Sequence, residues 1–248
     1  WKRRTEPPPA EHGKAMAAEA PQGALETLLR STCEPAAMLD LIENFLLFEE
    51  ARTLRKVVAK YHQVQGVNRA LEAVDSMADN HGRLGVFWHT QGSGKSLTMM
   101  FMVREMKLRP ELMPWKIVFV TDRSQLEEQL SETGQSIGFE LKTAHFIKPK
   151  ATSNGKSLKE LLRTDNSDLV MAMIHKFQEN GELEGLELFP ELNRSTQILV
   201  MTDEAHRSQY SLLAANLDRA LPNATTIGFT GTPTDKTEKK YKDYIDKY

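Results

Sequence analysis

The sequence predicts an α/β fold: a parallel sheet covered by helices on both faces, behind a short helical lead-in. Three observations predict it. First, short apolar runs recur from Leu84 onward, at Leu84–Trp88, Ile117–Val120, Leu169–Ile174, Ile198–Met201 and Thr225–Phe229. They lack polar alternation, as strands buried on both faces do. Second, amphipathic stretches lie between several of them, which gives the βαβ order of a parallel sheet. Third, a glycine-rich stretch joins the first run to the helical pattern that follows it, which is where a phosphate-binding loop belongs.

Taken in order, residues 1–30 read as a linker. Pro7, Pro8, Pro9 and Pro21 are four of the chain's 11 prolines, set among Ala, Glu and Lys. Residues 31–82 read as the helical lead-in. Pro35 suits a first helical turn, and Met38, Leu39, Ile42, Phe45 and Leu46 recur at helical spacing. A second helix is expected from about Tyr61 to Met77, with Val64, Val67, Leu71 and Val74 on one face. Residues 83–234 form the main lobe. Its helices are expected at Leu97–Met106, Gln125–Ser131, Leu158–Leu162 and Leu212–Leu221. Met99, Met100, Met102 and Met106 read as packing filler, and Trp88 as core. Asn180–Arg194 reads as an irregular insertion. Residues 235–248, dense in Lys, Asp and Tyr, read as a solvated helix or a connection toward a further lobe.

Composition narrows the classes. The 248 residues are 40 % hydrophobic, with a net charge of −2 and a pI near 6.4. That argues against a globally basic nucleic-acid coat and leaves room for a local basic groove. There is no apolar run of 18 residues and no signal-type apolar segment. Cys33, the one cysteine, excludes an internal disulfide and a cysteine-built zinc cluster. A cytoplasmic location is expected. The chain starts at Trp1, so its start reads as processed or cut from a longer protein.

The chemistry concentrates in His89-Thr90-Gln91-Gly92-Ser93-Gly94-Lys95-Ser96. Gly92 and Gly94 allow the backbone to curl closely around phosphate oxygens. Successive N–H groups and a helix N-terminus would then face the anion, with Gln91 and Ser93 in the same cradle. Lys95 would reach the β- and γ-phosphates of ATP, and the Ser96 hydroxyl would ligate Mg²⁺. His89 stands where the usual pattern has glycine. The acidic partner is Ile198-Leu199-Val200-Met201-Thr202-Asp203-Glu204-Ala205-His206. Its apolar run delivers Asp203 to the C-terminal edge of a strand, where ligands gather in open α/β sheets. Asp203 would hold the metal, Glu204 would polarise the attacking water, and His206 would report nucleotide state.

Asp203-Glu204-Ala205-His206 resembles the DEAH form of the Walker B motif in superfamily 2 helicases and translocases. Gly228 through Pro233 resembles their third motif, which implies that Thr230, Gly231 and Thr232 couple hydrolysis to movement. Tyr61-His62-Gln63 resembles the glutamine motif, which implies that Gln63 recognises adenine. Thr121-Asp122-Arg123, ahead of Leu126 and Gln129, resembles motif Ia near the DNA backbone. The extended form Asp203 to Gln209, Asp122-Arg123, Ile174-His175-Lys176-Phe177 and the helix at Leu39 to Phe45 narrow the resemblance to the motor (R) subunit of type I restriction enzymes. It covers about Glu34 to Tyr248.

This resemblance implies a RecA-like P-loop NTPase lobe that uses ATP and Mg²⁺ to translocate double-stranded DNA. It implies Arg123 and Lys176 as phosphate-backbone contacts, and methylation and specificity subunits as partners, with no membrane. The family's nuclease domain has no counterpart in this sequence. Glu140-Leu141-Lys142 mimics a nuclease triplet but falls inside the motor lobe and reads as chance. Later motifs, including the second lobe's arginine finger, would lie beyond Tyr248. The competing readings are another superfamily 2 helicase-like lobe acting on DNA or RNA, and a non-catalytic nucleotide-gated module.

Overall fold

The computed structural model describes residues 29, 33–50, 54–121, 130, 133–134, 141–143, 158–177, 189–203, 211–233, 237, 240–241 and 244–247. The elements are α1 (Pro35–Asn44), β1 (Leu46–Glu50), β2 (Leu54–Val58), α2 (Tyr61–Asp75), β3 (Arg83–Trp88), α3 (Lys95–Leu108), β4 (Lys116–Thr121) and β5 (Leu141–Thr143). They continue with α4 (Leu158–Arg163), β6 (Leu169–Met173), a 3₁₀ turn (Ile174–Phe177), β7 (Ile198–Asp203), α5 (Ser211–Ala220), β8 (Thr225–Thr230) and β9 (Tyr244–Lys247).

Strands β3 to β9 form one seven-stranded sheet in the order β5-β6-β4-β7-β8-β3-β9. Every pairing in it is parallel. The pleat explains how the sequence builds two layers from such strands. Successive residues point to opposite faces. Ile117, Phe119, Leu199, Met201, Ile227 and Phe229 join one core with α2 and α3. Val118, Val120, Ile198 and Val200 join a second core with Leu158, Leu161 and Leu162 of α4 and Leu213 and Leu217 of α5. Both faces are covered, so the strands contain little polar alternation.

The helix after the glycine-rich loop is buried on most of its circumference. Thr98 through Val103, Glu105 and Met106 are all buried, because α3 is enclosed by the sheet, α2 and the lead-in. The methionines expected as filler lie in that core. The lead-in docks on α3 through two contacts. The Phe45 and Phe101 rings lie 5.6 Å apart, and the Arg104 guanidinium donates to the carbonyls of Leu46, at 3.0 Å, and Glu43. The last carbonyls of a helix lack partners inside it. α1 has no basic residue in its own last turn, and Arg104 supplies one from across the interface.

Three features depart from the sequence expectations. β1 and β2 form an antiparallel hairpin within the predicted helical lead-in, with Leu46 opposite Val58. In the described part of the tail, Tyr244–Lys247 form a strand in place of an expected solvated helix. Tyr241 and Ile245 are buried, β9 pairs with β3, Arg69 of α2 donates to the Ile245 carbonyl at 3.3 Å, and Lys240 pairs with Asp218 at 3.1 Å. A segment dense in Lys, Asp and Tyr is expected to face solvent, and burial of Tyr241 and Ile245 against the sheet edge overrides that expectation. Trp88, expected in the core, is 37 % exposed, because it is the last residue of β3 and points to the face opposite Phe87. No helix among the described residues is long and apolar enough to cross a membrane. The predicted helix Gln125–Ser131 lies outside the described residues except for Leu130, as does most of the linker. Of the predicted insertion, residues 189–194 are described and carry no helix or strand.

Glu105 is 8 % exposed, and its Oε1 has no hydrogen-bond partner among the described residues. Burial, reinforced by Asp40 of α1 and offset by Arg109 and Arg104, pushes its carboxyl up from 4.5 to about 7. A carboxyl raised in the fold keeps its proton longer than in the unfolded chain. Its cost is therefore absent below about pH 4.5 and grows as pH rises to about 7. Glu105→Gln should raise stability at pH 8 by on the order of 1–3 kcal/mol and leave it unchanged near pH 4.5. Thermal denaturation at the two pH values measures this, and equal shifts at both would contradict the burial argument.

Candidate functional site

The glycine-rich loop leaves the C-terminal end of β3 and enters α3 at Lys95. Its shape needs glycine at two points. Gly92 has φ 79° and Gly94 has φ 93°, both left-handed, a region that costs an L side chain roughly 1–2 kcal/mol. At the end of the loop, the Gly94 carbonyl accepts the Thr98 N–H at 3.0 Å, the Thr98 hydroxyl at 3.2 Å and the Gln63 amide at 3.0 Å. Peptide planarity sets N–H opposite to C=O. With that carbonyl turned down the axis of α3, the Lys95 N–H points out of the helix N-terminus, the direction in which an anion would bind.

Lys95 reaches back over the loop, and its Nζ donates to the His89 carbonyl at 3.3 Å. His89 is fully buried, and its N–H donates to the Thr230 carbonyl at 3.0 Å. The residue at the expected glycine position thus ties the loop to the end of β8. Gly231 continues that contact: a Cβ placed on it would lie 3.5 Å from the His89 carbonyl oxygen, 3.6 Å from the Gln91 nitrogen and 4.0 Å from Lys95 Nζ. Trp88 Nε1 donates to the Gly231 carbonyl at 3.2 Å, and the Thr232 N–H donates to Thr230 Oγ1 at 3.1 Å.

Asp203 ends β7 and pairs in register with Phe229 of β8, which pairs with Phe87 of β3. Asp203 therefore stands at the sheet edge from which the loop springs, two strands away from it. The fold brings together Gln91, Gly92, Ser93, Gly94, Lys95, Ser96, Asp203, Thr230, Gly231 and Thr232 at that edge. The Ser96 hydroxyl and Asp203 carboxylate are hard oxygen donors of the kind that Mg²⁺ takes, and the outward Lys95 N–H at the helix N-terminus suits an anion such as a triphosphate. Glu204, His206 and Arg123 lie outside the described residues. Lys176 lies in the 3₁₀ turn that follows β6, at the same C-terminal end of the strands.

Gln63, expected to read adenine, stands between the start of α2 and the glycine loop. It is 2 % exposed. Its Oε1 accepts the Lys60 N–H at 2.7 Å, which caps α2, and its Nε2 holds Gly94. This placement has a physical cause: Gln63 is the third residue of α2, the position from which a glutamine side chain folds back to its own helix start. Sequence reasoning missed this role and those of His89 and Trp88. The helix-start spacing of Gln63 was a usable signal for the first. The other two depend on which strand ends meet.

A cavity of about 540 Å³ opens at the opposite end of the strands, lined by residues including Lys116, Asp165, Asn193 and Arg194. Its polar groups are taken up by the fold. Lys116 Nζ donates to the Leu161 carbonyl at 2.6 Å, and Asn193 Nδ2 donates to the Leu162 carbonyl and to Asp165 Oδ1, each at 3.0 Å.

Residues 62–248 match the family model described as the SWI2/SNF2 ATPase. The chain is 38 % identical over 242 residues to the type I restriction enzyme HindI endonuclease subunit of Haemophilus influenzae, covering 90 % of this chain and 22 % of that protein. It is 32 % identical over 237 residues to the provisionally named type I restriction enzyme MjaIXP endonuclease subunit of Methanocaldococcus jannaschii, covering 92 % of this chain and 21 % of that protein. The crystal structure of the UvsW helicase from bacteriophage T4 is 14 % identical with a TM-score of 0.49, over 82 % of this chain and 62 % of that one. The chain thus spans about a fifth of the length of the curated relatives it matches.

The loop geometry makes a differential prediction. A Cβ on Gly94 would lie 2.8 Å from Gln63 Nε2, whereas one on Gly92 meets nothing within 4 Å. Both alanine substitutions carry the left-handed backbone cost of roughly 1–2 kcal/mol. Gly94→Ala should cost about 1 kcal/mol more than Gly92→Ala, for the lost Gln63 hydrogen bond. Chemical denaturation of the two variants decides it, and equal costs would mean that Gln63 does not constrain the loop.

Proposed function

The chain belongs to the SWI2/SNF2 ATPase family, and from that premise we propose that it is the first ATP-binding lobe of a type I restriction motor subunit. It is an ATPase and helicase-like motor lobe. In this reading it binds and hydrolyses ATP with Mg²⁺ to pull double-stranded DNA through a complex containing methylation and specificity subunits in the cytoplasm. One observation carries the reading: the glycine loop, Lys95, Asp203 and the segment Thr230 to Thr232 meet at the C-terminal edge of one parallel sheet. The similarity to two endonuclease subunits of type I restriction enzymes supports this reading.

Each residue then has defined work. Backbone N–H groups at the N-terminus of α3, that of Lys95 first among them, cradle the phosphates, and the left-handed Gly92 and Gly94 keep the loop backbone curled. Lys95 leaves the His89 carbonyl for the phosphate oxygens, exchanging a neutral acceptor for an anionic one. Ser96 and Asp203 would hold Mg²⁺, which neutralises charge on the phosphates when bound. Glu204 orients and deprotonates the attacking water, and His206 reports the outcome. Because Gly231 rests on the loop next to Lys95, movement of Lys95 is felt at Thr230, Gly231 and Thr232, which gives these residues their coupling role. Arg123 and Lys176 supply phosphate-backbone contacts to DNA, an interaction that falls steeply with salt. Turnover needs a second lobe closing on the nucleotide.

Titration of Mg²⁺-ATP into the chain and into Lys95→Ala tests the site. The variant should bind about 10- to 100-fold more weakly, the value of one charge-assisted hydrogen bond; equal affinity would remove Lys95 from the site. In the full-length subunit, Glu204→Gln should keep ATP affinity and lower DNA-stimulated turnover by about 10²-fold or more. Stimulation by RNA or single strands alone would instead favour another helicase-like ATPase.

A further inference from the structure

In a 3₁₀ helix, residues three apart lie over one another. Ile174 and Phe177 are such a pair in the turn that carries Lys176, and both are buried. They join the core formed with α4 and α5, where the Phe177 ring meets the Phe189 ring at 5.5 Å. The end of the turn is held by another element. The Phe177 carbonyl accepts Asn216 Nδ2 of α5 at 2.8 Å. The last carbonyls of a helical turn have no partner inside it, so this one depends on what packs against it. Asn216 stands in the interior of α5 between Leu213 and Leu217, which lie in the same core as the turn. Asparagine is a poor residue for a helix interior, because its amide competes for nearby backbone groups. Here the amide is used across the interface instead.

We propose that Asn216 is a positioning residue for DNA binding: it holds the backbone at Phe177 and so sets the place from which Lys176 meets a phosphate of the duplex. The inference rests on the reading of Lys176 as a phosphate-backbone contact. Its physics is preorganisation. A lysine is a compact charge on a long, flexible stem, and it binds best when the backbone beneath it needs no ordering at the moment of contact. Apolar burial is non-directional, so Ile174 and Phe177 fix how deeply the turn sits in the core. A hydrogen bond is directional, so Asn216 fixes how the turn is oriented. Among the described elements, α5 is the one that follows Asp203 in the chain. The DNA-contacting turn therefore hangs on the helix that continues the acidic motif.

The test measures binding of a fluorescently labelled duplex of mixed sequence to the full-length subunit across a series of salt concentrations. It compares the unaltered protein with Asn216→Leu, Lys176→Ala and the double variant, with a melting curve and a Mg²⁺-ATP titration for each. Leucine keeps the shape of the asparagine side chain and removes the donor. Asn216→Leu should weaken duplex binding about fivefold, the value of one neutral hydrogen bond, and leave Mg²⁺-ATP affinity unchanged. Lys176→Ala should reduce the slope of log affinity against log salt by about 0.9 in magnitude, one phosphate contact. Once Lys176 is alanine, Asn216→Leu should have no further effect, because it acts through the lysine. Equal weakening by Asn216→Leu in both backgrounds, or no weakening in either, would overturn the proposal, as would a matching loss of Mg²⁺-ATP affinity. Unchanged duplex binding by Lys176→Ala would instead remove the lysine from the DNA surface, and the role of Asn216 with it. If Asn216→Leu does not fold, Asn216→Ala takes its place in the same cycle.

Discussion

A loop that binds an anion through its backbone must turn its N–H groups outward, and the carbonyls of the same peptides must then be satisfied inward. In this protein that requirement converges on the Gly94 carbonyl. It takes the helical bond from Thr98, a second bond from the Thr98 hydroxyl and a third from Gln63. Three donors on one acceptor leave the peptide little freedom, so the left-handed conformation of Gly94 is held from both sides. The lead-in helix α2, the loop and the buried helix α3 become one unit through that atom.

The rest of the molecule keeps that unit in register with the sheet. α3 is embedded on most sides and cannot shift without disturbing the core that it shares with α2 and the strands. Arg104 joins it to the end of α1, and Glu105 lies buried on the same helix, its carboxyl raised to about 7. A buried acid with an unpartnered oxygen costs stability near neutral pH. The fold offsets it only in part, through Arg104 and Arg109.

The strand order connects the loop to the end of β8. β8 lies between β7 and β3, so Thr230 and Gly231 sit beside the loop, and Asp203 is one strand further on. Trp88 and His89 bind the end of β8 from the β3 side, one by its indole N–H and the other by its backbone N–H. Contacts of this kind change discretely when a lysine or a peptide changes partner. They also explain why position 89 carries a ring: the fold uses that residue to pack the loop against α2, while glycine serves the curvature at Gly92 and Gly94.

The α/β class, the strands from Leu84 to Phe229 and the loop from Gln91 to Ser96 were legible in the sequence by itself. These features follow from local rules. Unbroken apolar runs mark strands buried on both faces, and a glycine-lysine-serine turn between a strand and a helix has few other uses. The placement of Asp203 was legible for the same reason, since a buried strand delivers its terminal residue to a known edge. The β1–β2 hairpin, the strand Tyr244–Lys247, the exposure of Trp88 and the work of Gln63 and His89 came only from tertiary structure. The hairpin aside, each depends on a neighbour distant in the chain: Arg69 for the tail, Gly231 for Trp88, Gly94 for Gln63. Periodicity tells which side of an element is apolar. Which polar atom a buried side chain finds there is decided only when the elements pack.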